Sequence, residues 1–318
     1  MSPQPPYVIG IDAGGTKTAC VLADGNGQVI ATAKGDGANL QAAGELSVEK
    51  TLHQVMDDAI GDRPLVPAAI CLGMAGVDRE DDARVVGAIM RRIGYKAQVF
   101  ITNDALVALV AGAGLGPGVV IIAGTGSIAY GKNDRDEAAR AGGWGYVLGD
   151  EGSGYWLGRL ALRAVVRESD GRGRPTALTP YILKHFGVSQ PQELIHEIYH
   201  QQFKPSGIAA VARYVQAARD EGDPIAVALL ENAARELLSC AGSVVQRLRM
   251  QADTFPFVLA GGIFQAVPWL TEALTQRLSQ LSPHASVVRL TREPALGAVT
   301  LALAAAKDGV RLPSYLPR

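Results

Sequence analysis

Short apolar segments separated by glycine-rich or polar turns open the chain. Residues 7–12 read YVIGID, residues 18–23 read TACVLA, and residues 28–33 read QVIATA. A glycine turn separates the first two segments, and Asn26 and Gly27 separate the second from the third. Apolar runs of this length that flank such turns are typical of strands joined by hairpins. We therefore predict an antiparallel three-stranded meander, which is not how Rossmann proteins begin.

Helical and strand patterns alternate after the meander. The predicted elements are a helix from about Glu45 to Ile60, a strand over 68–73, a helix near 79–92 and a strand over 98–102. The last of these strands ends at Asn103 and Asp104. A meander followed by alternating helix and strand predicts one α/β unit.

The same order of elements then starts again. Glycine density peaks over residues 112–118, and the apolar run VVIIAG over 119–124 leads into a second glycine turn and the run IAYG. Long helical stretches follow near 154–168 and 224–251, then a strand over 257–260 and a last helix near 294–307. We predict two α/β domains, 1–115 and 116–293.

Composition narrows the class of protein. The 318 residues are enough for two hydrophobic cores, and charged residues make up 19% with a formal net charge of −1. This balance argues against a disordered chain and against a nucleic-acid partner. The three cysteines are far apart, and no apolar run is long enough for a membrane span. We expect a soluble, cytoplasmic protein without a membrane partner.

Two glycine turns have the composition of phosphate-binding loops. In the first, Gly14 and Gly15 allow backbone N–H groups to converge on an anion, Thr16 adds a hydroxyl donor, and Asp12 can hold Mg²⁺ through a water. Lys17 follows, but the spacing is not that of a P-loop. The second turn is Gly124, Thr125, Gly126 and Ser127. For each turn alone, an ordinary hairpin explains the residues equally well.

Two further places have residues suited to a ligand. Gly261 and Gly262 end an apolar strand, where a nucleotide can approach the backbone closely. Asp104 follows a strand and precedes an apolar helix, at the carboxyl edge where α/β proteins bind ligands. There it can cap the helix, act as a general base toward a hydroxyl, or do both.

The densest unusual segment is GGWGYVLGDEGSG over residues 142–154. An aromatic side chain between glycines, followed by an Asp-Glu pair that opens a helix, suits a sugar. The alternatives are a core aromatic for Trp144 and a solvated helix start for Asp150 and Glu151.

Taken in order, these motifs resemble the N-acetylglucosamine kinase family, which has a BadF/BadG/BcrA/BcrD-type ATPase domain and belongs to the actin, hexokinase and Hsp70-like superfamily. The resemblance spans Tyr7 to the last helix and is most specific between Ile101 and Gly154. The motifs that carry it are Asp12-x-Gly-Gly-Thr-Lys-Thr, Asn39-Leu40, Asn103-Asp104-Ala105, Gly124-Thr-Gly-Ser, Gly142-Gly-Trp-Gly and Gly149-Asp-Glu-Gly-Ser.

The resemblance implies two ribonuclease-H-like domains with ATP and an amino sugar in the cleft between them. The last helix, within 294–318, would then pack on the first domain. Asp104 would be the catalytic base, with Asn39, Leu40, Gly143, Trp144 and Asp150 near the sugar. The implied nucleotide positions are Asp12, Gly14, Gly15, Thr16, Lys17, Gly124, Thr125, Gly126, Ser127, Ala209, Gly261 and Gly262.

The expected reaction is transfer of the γ-phosphate of ATP to a hydroxyl, the 6-OH, of an amino sugar such as N-acetylglucosamine. Mg²⁺ would enter with ATP and without a direct protein ligand. Glucosamine and a muramic-acid sugar stay open as acceptors, and a homodimer is expected from related kinases. An alternative of another class is a nucleotide or sugar sensor that does not turn over. Retention of Asp104 argues against that alternative.

Overall fold

The computed structural model describes residues 6–40, 44–77, 80–200, 204–308 and 312–315. The first sheet contains β1 (Tyr7–Ala13), β2 (Lys17–Ala23), β3 (Val29–Asp36), β4 (Pro67–Met74) and β5 (Gln98–Asn103). The second sheet contains β6 (Gly118–Ala123), β7 (Ser127–Lys132), β8 (Glu137–Gly142), β9 (Pro256–Ala260), β10 (Ser286–Arg289) and β11 (Ser314–Tyr315).

Eleven α-helices lie in the described residues. They are α1 (Glu45–Ile60), α2 (Glu80–Ile93), α3 (Asp104–Ala113), α4 (Gly154–Ser169), α5 (Leu178–Phe186), α6 (Pro205–Ala209), α7 (Ala212–Asp220), α8 (Pro224–Leu248), α9 (Ile263–Ala266), α10 (Pro268–Leu281) and α11 (Ala295–Asp308). None of these helices is long and apolar enough to cross a membrane.

The order of strands reveals an internal repeat. The first sheet is ordered β3-β2-β1-β4-β5, and the second contains β8-β7-β6-β9-β10 with β11 added beside β8. In each sheet, the first three strands in the chain lie side by side as a meander. The next two strands, β4 and β5 or β9 and β10, lie on the other side of the first meander strand, β1 or β6. The prediction of a second copy of the opening pattern is therefore confirmed.

The first sheet has the predicted antiparallel start. β1 pairs with β2, and β2 with β3, in antiparallel register, whereas β4 runs parallel to β1 and β5 parallel to β4. Asp12 is aligned with Gly73, and Gly73 with Thr102. Because parallel strands end at the same edge of a sheet, Asp12 and the residues that follow β5 lie at one edge.

Periodic apolar residues of α1 cover one face of this sheet. Val48, Leu52, Val55 and Met56 are fully buried in one cluster with residues of β1 and β4. Their spacing of three and four residues places them on one side of the helix. The predicted helix from Glu45 to Ile60 is confirmed.

The last helix, α11, packs against β1, β4 and α3. The helix approaches its neighbours closely because Gly10 and Gly297 have no side chain at the points of contact. A Cβ atom on Gly10 would lie 2.4 Å from the backbone nitrogen of Val299, and one on Gly297 would lie 2.0 Å from the carbonyl oxygen of Val107. Helix α3, which begins at Asp104, is therefore held against α11, which itself packs on the sheet.

Contacts divide the described residues into two compact units. The first unit runs to Val120 and also contains Gly131–Ala138 and the residues from Arg289 onward, which include α11. The second contains Ile121–Tyr130 and Ala139–Val288. The domain limits predicted from the sequence, 1–115 and 116–293, stay a prediction.

Replacing Gly297 with alanine tests the close packing of α11. Helix propensity alone would favour alanine by about 1 kcal/mol. The contact with α3 leaves no space for a methyl group, so we expect Gly297→Ala to lower the free energy of unfolding by about 1–3 kcal/mol. Urea denaturation measures the change. Gly116→Ala, where a Cβ meets no atom within 4 Å, is the control with little expected effect. A more stable Gly297→Ala variant would contradict this packing.

Candidate functional site

The loop between β1 and β2 is closed by backbone hydrogen bonds. The N–H of Gly14 donates to the carbonyl of Lys17 at 3.0 Å, and the N–H of Ala38 donates to the carbonyl of Gly14 at 3.1 Å. The Gly14 N–H is thus engaged within the turn. Gly15 and Thr16 are exposed, so they are the loop residues best placed to meet a ligand.

Asn39 and Leu40 follow a segment that lies directly on this loop. A Cβ atom on Gly37 would lie 2.3 Å from the carbonyl oxygen of Gly15, so the two backbones are in contact there. Leu40 packs against the core of the first unit, and Asn39 is partly buried. The first unit therefore brings the two predicted sugar positions close to the first glycine turn.

Asn103, and not Asp104, caps α3. The side-chain oxygen of Asn103 accepts a hydrogen bond from the N–H of Leu106 at 2.7 Å, and Asn103 has the extended backbone of a cap residue. Capping by Asp104 is therefore wrong, because the chain turns into the helix one residue earlier. Asp104 is the first residue of α3, so its carboxylate is also at the positive end of the helix dipole.

The Asp12 carboxyl is buried next to other charges. Asp12 is only 8% exposed, and its pKa is raised from 3.8 to about 7, chiefly by this burial. The neighbouring charges of Asp104 and Glu293 contribute to this rise, and the charge of Lys17 opposes it. The effect of Asp104 on this pKa shows that the two carboxylates are near each other, in agreement with the parallel register of their strands. Glu293 is a third carboxylate near Asp12.

Glu293 is the residue of this cluster that the sequence analysis missed. Its Oε1 accepts a hydrogen bond from Nζ of Lys17 at 2.7 Å. Arg292, one residue before it, donates from Nη2 to the carbonyl of Ala111 near the end of α3 at 2.9 Å. No local pattern links residues so far apart in the chain. The only available signal was an acid immediately before the proline of the last predicted helix.

The second glycine turn is joined to the start of α4. The N–H of Gly124 donates to the carbonyl of Gly126 at 2.9 Å, and the N–H of Gly154 donates to the carbonyl of Gly124 at 2.8 Å. The N–H of Tyr155 donates to the carbonyl of Thr125 at 3.3 Å. The second loop is thus also closed by a backbone hydrogen bond, although a tighter one than in the first loop, and α4 begins on its backbone.

Asp150 holds the second loop in place. It is 7% exposed, and its carboxylate accepts backbone hydrogen bonds from Ser127 and Gly145. Burial raises the pKa of Asp150, while these two bonds lower it in part. A Cβ atom on Gly126 would lie 2.6 Å from Oδ2 of Asp150, so only glycine allows this approach.

The structure rejects both alternatives for the 142–154 segment. Helix α4 begins at Gly154 with Ser153 as its cap, so Asp150 precedes the helix and is buried, not a solvated helix start. Trp144 is 48% exposed, so it is not a core aromatic. Instead, the guanidinium of Arg140 lies 4.9 Å from the centroid of its ring. The Trp144 ring thus has one face on a cation and much of its surface accessible.

Three other predicted nucleotide positions meet at the second loop. A Cβ atom on Gly154 would lie 3.1 Å from Cβ of Ala209. Gly261 has a φ of 105°, and a Cβ there would lie 2.2 Å from the carbonyl oxygen of Ala123. Gly262 comes next and precedes α9, which has only four residues. The second unit therefore gathers Gly124, Ala209 and Gly261 around one strand end.

The first unit has donors that fit Mg²⁺ delivered with a nucleotide. Among the described residues, no group of three or more His, Cys, Asp or Glu side chains could hold a metal ion by itself. Mg²⁺ is commonly bound by one or two carboxylates together with substrate phosphates. Asp12, next to Asp104, meets this requirement for hard oxygen donors.

The raised pKa of Asp12 predicts a pH-dependent stability. A carboxyl whose pKa is higher in the folded state stabilises the fold below pH 3.8, and this contribution is lost as the pH rises through about 7. Between pH 5 and 8, we expect the wild-type protein to lose about 3 kcal/mol more than Asp12→Asn does, from about 1.36 kcal/mol per pKa unit. Urea unfolding at both pH values measures this difference.

The exposed Asp62 offers a matched control in the same unit. Asp62→Asn should retain the wild-type dependence on pH. If the stability of Asp12→Asn changed with pH as that of the wild-type protein does, Asp12 would not carry a raised pKa.

Comparison with known proteins shows which family the chain belongs to. A family model described as the BadF/BadG/BcrA/BcrD ATPase family matches residues 9–302. An N-acetylmuramic acid/N-acetylglucosamine kinase of Clostridium acetobutylicum is 33% identical over 299 residues, which are 93% of this chain and 98% of that protein. An N-acetyl-D-glucosamine kinase of Dictyostelium discoideum is 34% identical over 313 residues, 93% of this chain and 97% of that protein.

A solved structure from Chromobacterium violaceum, provisionally assigned as an N-acetylglucosamine kinase, superimposes with a TM-score of 0.75 at 28% identity. The match covers 95% of this chain and 100% of that one. The predicted α/β fold of the actin-like ATPase type is confirmed. With a family model that spans most of its length, the chain belongs to the BadF/BadG/BcrA/BcrD ATPase family.

Proposed function

We propose that this protein is an ATP-dependent kinase that phosphorylates an amino sugar such as N-acetylglucosamine at its 6-OH. The observation that carries the proposal is the pair of carboxylates, Asp12 and Asp104, at the edge of the parallel strands of the first sheet. The two relatives above, which are named for amino-sugar kinase activity and match nearly their whole length, supply the substrate class.

In the proposed reaction, Asp104 is the general base. It accepts the proton of the sugar hydroxyl while the hydroxyl oxygen forms a bond to the γ-phosphorus of ATP. The bond between the γ-phosphorus and the bridging oxygen breaks, and ADP leaves. Asn39 and Leu40 would hold the sugar in the first unit, next to the first glycine turn. Mg²⁺, bound with ATP near Asp12, would neutralise charge on the phosphates.

We assign nucleotide binding to both glycine turns. In the first unit, Gly15, Thr16 and Lys17 would contact phosphates, while Gly14 shapes the turn. In the second unit, the proposed contacts are Gly124, Thr125, Gly126, Ser127, Ala209, Gly261 and Gly262. Their gathering around one strand end supports this assignment.

The second unit would also contact the sugar through Gly143, Trp144 and Asp150. The accessible Trp144 ring, held against Arg140, offers a flat apolar surface for a pyranose. Asp150 is engaged with the backbone of the second loop, so we propose that it links sugar contact to the loop. A homodimer and a cytoplasmic location stay predictions.

A panel of amino sugars tests the activity and its acceptor. ADP release from purified protein with Mg-ATP would be measured with N-acetylglucosamine, glucosamine, N-acetylmuramic acid and no sugar. We expect sugar-stimulated release, and the site of phosphorylation can be read from the product by NMR. Release that no sugar stimulates would contradict the proposal and favour a sensor without turnover.

Replacing the proposed base tests the mechanism. Asp104→Asn keeps the size of the side chain but cannot accept the proton, so we expect kcat to fall about 10²–10⁴-fold with nucleotide affinity largely retained. Steady-state kinetics and ADP binding measure the two effects. Asp62→Asn, on the surface of the same unit, should leave kcat unchanged. Near-wild-type turnover of Asp104→Asn would show that another group removes the proton.

A further inference from the structure

The partner of Lys17 comes from the far end of the chain. Nζ of Lys17 lies 2.7 Å from Oε1 of Glu293, with the two side chains 57% and 33% exposed. Lys17 belongs to the glycine turn to which the proposed function assigns phosphate contacts. Its ammonium group is therefore paired with a carboxylate.

Glu293 is held in this position from both sides along the chain. Arg292 is bonded to the carbonyl of Ala111 in α3. On the other side, Gly297 in the first turns of α11 lies against the backbone of Val107 in α3. The segment that carries Glu293 is thus fixed to the helix that begins with Asp104. The packing of the first unit therefore places Glu293 beside Lys17.

A phosphate group and Glu293 would compete for one ammonium group. A polyphosphate carries more negative charge than a carboxylate and offers oxygens of the same kind to Lys17. This competition lowers the affinity of the loop for an anion.

We propose that Glu293 sets the nucleotide affinity of this protein by serving as the counterion of Lys17, from which the phosphates of the nucleotide displace it. The inference rests on the proposed function, because it needs the first loop to bind phosphates. It assigns Glu293 no part in the proton transfer. A weakened affinity for the product nucleotide is the consequence, since ADP must displace the same carboxylate.

The test is calorimetric binding of Mg-ADP at low salt. Because an exposed ion pair contributes modestly, we expect Glu293→Gln to bind Mg-ADP about two- to fivefold more tightly than the wild-type protein. The gain should shrink in 0.5 M NaCl, where charge interactions are screened. Glu293→Asp, which keeps the charge, should stay close to wild type. Lys17→Met should weaken binding, and Glu293→Gln should lose most of its effect in that background.

A matched control exists in the same unit. Glu49 accepts a hydrogen bond from Arg92 at 2.5 Å, and the two side chains are 28% and 48% exposed. Glu49→Gln removes a similar surface ion pair and should leave Mg-ADP affinity unchanged. If Glu293 only supported the fold, Glu293→Gln would weaken binding or leave it unaltered, and either result would overturn the inference.

The outcomes separate this inference from the proposed function. If Lys17→Met weakens binding but Glu293→Gln does not strengthen it, the competition is wrong and the loop assignment stands. If Lys17→Met has no effect, Lys17 touches no phosphate and both the inference and that assignment fail. Absence of sugar-stimulated ADP release would refute the proposed kinase activity. The binding measurements would still decide the role of Glu293.

Discussion

The first unit depends on keeping the carboxyl of Asp12 buried beside the charge of Asp104. Burial of Asp12, together with the nearby negative charges, raises its pKa to about 7. A folded protein tolerates such an arrangement only where the surrounding structure fixes it, because separating the charges would relieve the repulsion. The site would become favourable when a cation such as Mg²⁺ arrives with the nucleotide. Under the proposed function, a cation bound with a polyphosphate would relieve this repulsion.

The surrounding structure fixes the two carboxylates through backbone packing. Asp12 is placed by β1, and Asp104 by the start of α3 after β5. Glycines at positions 10 and 297 bring α11 against β1 and α3, so α3 cannot shift away from the sheet without losing these contacts. Glu293 lies just before α11 and reaches Lys17, which is the cation that partly offsets the charge of Asp12. The packing of α11 thus helps to fix the positions of Asp12, Asp104 and Lys17.

Local pattern was sufficient for the elements and for one edge of the site. Apolar runs and turns predicted the meander, and the strand before Asp104 predicted that it lies at the carboxyl edge of a sheet. That Asp12 lies at the same edge follows from the parallel register of β1, β4 and β5. Side-chain environments could not be read in this way. The burial of Asp150 depends on a glycine, Gly126, that lets it approach the second loop, and the role of Glu293 depends on packing between distant segments. Such contacts have no local signature, whereas strand and helix periodicities do.

The protonation of Asp12 is the most direct test of its burial beside Asp104. Selective ¹³C labelling of aspartate side chains, with the Asp12 signal assigned from Asp12→Asn, would give its titration by NMR in the ligand-free protein. Burial of Asp12 beside Asp104 predicts a midpoint at about pH 7 in the wild-type protein and a lower midpoint in Asp104→Asn, because the neighbouring negative charge is gone. A midpoint near 3.8 that does not move in Asp104→Asn would contradict it, since the two carboxylates would then be neither buried together nor coupled.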